Sequence, residues 1–186
     1  MISTELKELI HPVVLVQKII WYAITTSVIF YTVFVYIFFG TASSAPSSGG
    51  GSTEMLIYII SIAAVAGSVY YRRYYMTEAN INKFVSKNHS TDELSRDPRT
   101  KKPDPAKLSQ LESLIPAELG IYALMMEFQK YLLINLALNE IVIVLGLALA
   151  LLSDDPSTII PFAVVSLVLD IWIYPKPNLL IQRVPG

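Results

Sequence analysis

Residues 131–152 read YLLINLALNEIVIVLGLALALL. As one helix, this run of about 22 residues, rising about 1.5 Å per residue, is long enough to cross a hydrocarbon core of about 30 Å. Near its middle stands Glu140. A carboxylate at that depth costs about 3 kcal/mol on insertion scales. A side chain kept there is protonated, ion-paired, bound to a cation or turned toward a protein interior. Glu140 is therefore the first candidate functional residue.

The rest of the chain is of the same kind. Of its 186 residues, 53% are hydrophobic and 16% charged, against about 25% charged in soluble domains. Mean hydropathy is +0.51. These values predict an all-α membrane protein, a single membrane domain over residues 1–186. Its expected spans are 19–40, 55–71, 131–152 and 159–174. The second and fourth sit near the lower limit of about 17 residues. The net charge of −1 says nothing about partners, and there is no cysteine to build a disulfide frame or thiolate metal site. The two histidines, His11 and His89, do not form a ligand set. Nor is there a nucleotide loop, a paired-Asp motif or a membrane-embedded Ser/His pair. No catalytic residue, metal or cofactor is expected, and the chain is read as non-enzymatic.

Lys and Arg set the expected orientation. Lys7 and Lys18 precede the first span. Arg72, Arg73, Lys83, Lys87, Arg96, Arg99, Lys101, Lys102, Lys107 and Lys130 lie between the second and third. Lys176 and Arg183 follow the fourth, and the other two connections hold none. Both termini and the segment 76–130 are therefore expected in the cytoplasm of a multi-pass cell-membrane protein. Trp21, Tyr22, the tyrosines from Tyr70 to Tyr75, Trp172 and Tyr174 then fall at the cytoplasmic interface, where aromatic belts form. The first apolar run is too long for a signal-peptide core and is expected to be retained.

Between the spans the composition changes. Residues 41–53 are a Ser/Gly linker on the outer side. Residues 1–12 are a mixed-charge lead, either lying along the interface or solvated, and Pro12 is expected to separate it from the first span. Residues 77–87 read as a polar continuation of the second helix, and prolines make 99–107 extended. The mixed charge of residues 76–107 speaks against nucleic acid. It fits either contact with lipid headgroups or a partner subunit, or a solvated linker. From Pro116 onward nothing forces a stop, so one helix of about 37 residues is expected, its first turns projecting into the cytoplasm. Leu119, Tyr122, Leu124, Met125, Met126 and Phe128 on that projection need a covering surface, supplied by the chain, the membrane or another subunit.

Asn135, Asn139, Val142, Gly146 and Ala150 fall on one face of the third span. A narrow stripe of small and amide residues suits close helix–helix contact with interhelical hydrogen bonds. In the second span Ala64 and Ser68 form a small-xxx-small pair of the same kind. Glu140 flanks the stripe, about 100° round from Asn139. Asp170 in the fourth span is the second acid, about 7 Å shallower by rise counting from Pro175. It either joins Glu140 in a water-linked relay, or reaches headgroup water or pairs with Lys130, Lys18 or Lys176.

The run from Ala137 through Asn139, Glu140 and Gly146 to Leu152 resembles the carboxylate-bearing helix of rotary ATP synthase proteolipid (c) subunits. The shared features are the Glu-to-Gly spacing, the Leu/Val/Ala tail and a preceding polar loop. The resemblance implies that Glu140 binds and releases H⁺ or Na⁺; Asn139 beside it and Asp170 of the fourth span are the further candidate ion-binding or proton-carrying residues. The second span holds Gly67 where that family has a repeated G-x-G ladder, and two further spans are present. The chain is thus read as a small membrane subunit that assembles through its polar third helix, with itself or with a larger complex. The alternative is a proteolipid-like ion translocator.

Overall fold

A computed structural model describes residues 3–40, 51–96, 100, 102–176 and 181. Among these the chain is helical, with one isolated bridge between Arg96 and Pro103. The elements are α1 (Thr4–Phe39), α2 (Gly51–Tyr75), α3 (Glu78–Val85), α4 (Thr91–Ser95), α5 (Pro105–Glu112), α6 (Pro116–Ser153), a 3₁₀ turn (Pro156–Thr158) and α7 (Ile159–Ile173). Four stretches are long and apolar enough to cross a membrane: α1, α2, α6 and Pro156–Ile173. The protein is a multi-pass membrane protein by this measure.

The described residues gather into two compact units. One comprises those of Met1–Gln17, Tyr74–Tyr131 and Pro175–Gly186, the other Lys18–Arg73 and Leu132–Tyr174.

In the first unit the lead is neither a solvated tail nor a separate piece. Pro12 sits inside an unbroken α1. Leu6, Leu9 and Ile10 are buried, the backbone N–H of Ser3 donates to Glu118 Oε1 at 2.7 Å, and Gln17 Nε2 donates to the Met125 carbonyl at 3.0 Å. These contacts override the proline. Glu8, whose carbonyl loses its helical partner, and Pro12 are both exposed, so water is available to that carbonyl. The start of α1 thus helps cover the first turns of α6, where Tyr122, Leu124, Met125 and Phe128 are buried. The apolar start of α6 is covered from within the chain.

α2 stops at Tyr75, and α3 is a separate helix rather than its continuation. Its Ile81 is buried, and its last turn lies close to Gly120 of α6. A Cβ at Gly120 would stand 2.5 Å from the Val85 carbonyl oxygen, so only glycine permits that approach. Pro105 opens α5 instead of extending the chain. Asp104 caps this helix, its Oδ1 accepting from the N–H groups of Ala106 at 3.0 Å and Lys107 at 3.4 Å, and Pro105 needs no N–H at that position. Residues 51–53 of the expected outer linker belong to α2. Its residues 41–50, with residues 97–99 and 101 of the basic segment, lie outside the described residues.

In the second unit α6 is the most enclosed helix and α1 the least. Val28 and Val35 of α1 pack with Ile143, Ala150, Ile159 and Ala163. Ile57 and Ala64 of α2 pack with Val142, Leu149 and Phe162. α6 therefore lies against α1 on one side, α2 on another and α7 along its length. The α6–α7 connection is tight. Asp154 has a φ of 51°, a left-handed conformation that Asp tolerates. Asp155 Oδ1 accepts from Ser157 N at 2.9 Å and Ser157 Oγ at 2.7 Å, and these donors hold its carboxyl below its usual range. Pro156, at the next position, opens the 3₁₀ turn that leads into α7.

Candidate functional site

That turn sets the register of α7 on α6. Gly146 meets Phe162, and Asn139 meets Asp170. Rise counting from Tyr131 and Pro175 misses this level, because it treats those two residues as equally deep. The turn aligns the helices from their other ends.

Asp170 is fully buried. This corrects the expectation that it reaches headgroup water or pairs with a lysine. Its Oδ1 accepts from Asn139 Nδ2 at 2.8 Å. Its backbone carbonyl accepts from Trp21 Nε1 at 2.7 Å. Ser166, one turn earlier on α7, donates to the Asn139 carbonyl at 3.0 Å. From α2, Ser68 Oγ stands 3.1 Å from Asn135 Oδ1 and 3.0 Å from Asn139 Oδ1. A hydroxyl has one proton, so these two amide oxygens share it. Asn135, Asn139, Ser68, Ser166 and Asp170 are all buried. Side chains from all four long helices thus meet in one polar core.

Two atoms in that core have no hydrogen-bond partner among the described residues: Asp170 Oδ2 and Thr25 Oγ1. The Thr25 side chain is near enough to Asp170 to influence its carboxyl, but the pair falls outside hydrogen-bond geometry.

Glu140 faces the other way, toward α1. Ser27 Oγ lies 2.9 Å from each of its carboxyl oxygens. The same hydroxyl lies 2.6 Å from the Ile24 carbonyl. Tyr31, one turn further along α1, lies near enough to Glu140 to feel its charge. Glu140 itself is half-buried.

Asn139, Asp170, Ser68 and Asn135 are therefore brought together, and Glu140 stands one residue round the helix on α1. Gly146 lies against Phe162, and Ala150 and Ala64 sit in the two apolar clusters. The stripe does face other helices, but they are the chain's own α2, α7 and α1. It is not left free for a second chain. The place of Ser27 beside Glu140 and of Thr25 near Asp170 was not legible, because the sequence does not say which face of α1 meets α6 and α7. The spacing of Ser27 and Tyr31, four apart, was the available signal. Trp21 read as an interface anchor while its N–H serves α7.

Comparison with protein-family models, characterised proteins and solved structures finds no match to this chain.

Proposed function

We propose that the chain is a non-enzymatic integral membrane subunit whose two inner acids act as neutral hydrogen-bonding groups that lock four helices. The observation that carries this reading is a count of protons. Ser27 has one proton and faces two acceptors, the Ile24 carbonyl and the Glu140 carboxyl. Both contacts are satisfied when Glu140 is protonated and donates to Ser27 Oγ. A proton on Asp170 Oδ2 likewise turns that unpartnered acceptor into a donor beside the unpartnered Thr25 Oγ1. Two neutral acids therefore satisfy the site better than two carboxylates, which would also repel each other.

With the polar stripe of α6 used within the chain, assembly with a second copy or a larger complex falls to the less enclosed α1 and α2. In this proposal the termini and residues 76–130 are cytoplasmic, on the strength of the Lys and Arg distribution. The chain has no cysteine, so single cysteines report sidedness cleanly. In right-side-out cells, Ser157→Cys is expected to react with an impermeant maleimide and Ser86→Cys to react only after lysis. The reverse pattern overturns the orientation.

A second reading is favoured by one observation. Glu140 and Asp170 flank Asn139, and each has a hydroxyl side chain beside it. In this reading protons pass between them, and the proteolipid-like spacing of Glu140 and Gly146 supports Glu140 as the titrating group. Glu140→Gln separates the readings, since Gln keeps the shape and cannot titrate. The structural reading expects unchanged folded yield and no proton or Na⁺ flux in liposomes for either protein. Wild-type flux abolished by Glu140→Gln, with folding intact, establishes the relay instead.

A further inference from the structure

A cleft of about 530 Å³ opens in the unit that contains the start of α6. Its walls are largely aromatic. Tyr75 and Tyr131 have ring centroids 6.2 Å apart, Phe128 and Tyr131 5.4 Å apart, and Phe84 closes another side. Lys83 of α3 and Lys87, just past the end of that helix, are both exposed and stand on its rim. Glu127, the acid of the lining, is 2.9 Å from Lys130. Neither Lys83 nor Lys87 forms an ion pair among the described residues. The cleft thus joins an apolar aromatic wall to two uncompensated positive charges. Tyr74 and Tyr75, the last residues of the apolar α2, also line it.

We propose that this cleft binds the headgroup and glycerol region of an anionic phospholipid. The phosphate sits between Lys83 and Lys87, and the upper acyl chain lies against Phe128 and Tyr131. Charge complementarity selects the anionic lipid. The aromatic wall selects a lipid over a free anion, since rings at the membrane boundary favour amphiphiles. Basic residues in this position attract anionic leaflets one at a time.

The test uses the full chain in detergent, with retained lipid counted by native mass spectrometry. Phosphatidylglycerol is expected to be retained over phosphatidylcholine. Removing the charges with Lys83→Gln and Lys87→Gln is expected to lower that preference roughly fivefold per lysine. Lys7→Gln, an exposed change elsewhere in the unit, is expected to leave it intact. Equal retention of the two lipids overturns the proposal. So does an equal loss with Lys7→Gln, which marks diffuse surface charge. Competition by glycerol 3-phosphate at the same concentration as lipid also overturns it, because the site then recognises a soluble anion.

Discussion

Gly146→Ala is expected to destabilise the membrane unit by about 1–3 kcal/mol, the usual cost of overpacking a filled core. The added Cβ would lie 2.5 Å from Phe162 Cβ and 2.7 Å from its Cγ. Carbon atoms rest at about 3.5–4 Å, so α6 and α7 must part locally. A rotamer change of Phe162 does not relieve the contact, because its Cβ is fixed to the α7 backbone; Tyr58 of α2 stacks on the ring with centroids 5.5 Å apart. The tight Asp154–Ser157 turn and the Asn139–Asp170 bond hold the helices on either side of the clash. Unfolding in mixed micelles gives the loss directly. The mechanism is checked by a double-mutant cycle with Phe162→Gly, which removes both the Cβ and the ring that the new methyl meets, and there the Gly146→Ala penalty is expected to shrink by at least about 1 kcal/mol. Strict additivity would mean the glycine serves something other than contact with Phe162.

That contact shows how far sequence reasoning reaches. Four spans and an unbroken α6 follow from length, hydropathy and the absence of a stop after Pro116. The face of α6 holding Asn135, Asn139, Gly146 and Ala150 follows from helical periodicity. Which helix meets that face does not. Ser27 and Tyr31 share a face of α1 by their spacing, but neither length nor hydropathy says that this face meets Glu140. The register of α7 depends on the conformation of Asp154 and the cap at Asp155, and that register buries Asp170. Pro12 failed to break α1 because long-range burial of Leu6, Leu9 and Ile10 outweighs one missing hydrogen bond. The Asp104–Pro105 pair was a helix start in plain view, obscured by reading the surrounding prolines as a signal for extended chain.

Asp170→Asn is expected to fold with stability within about 1 kcal/mol of wild type, while Asp170→Ala loses about 1–3 kcal/mol. The amide oxygen of Asn can accept from Asn139 Nδ2 as Asp170 Oδ1 does at 2.8 Å. Its NH₂ can face Thr25 Oγ1, which has no partner now. Alanine offers neither group and leaves Asn139 Nδ2 buried without an acceptor. Hydrogen bonds between membrane helices average about 0.6 kcal/mol, with a maximum near 1.7, so the upper part of the alanine range needs the cost of the orphaned donor as well. The comparison also reads the charge state. If Asp170 were an uncompensated buried anion, replacing it with a neutral isostere would remove a desolvation cost, and Asp170→Asn would stabilise the protein by several kcal/mol. Infrared difference spectra give an independent view. The neutral-acid proposal expects protonated-carboxyl bands, one vanishing in Asp170→Asn and one in Glu140→Gln. Carboxylate bands in their place, or a strongly stabilised Asp170→Asn, would overturn the neutral-acid core and favour a site that holds charge, and with it a cation or a mobile proton.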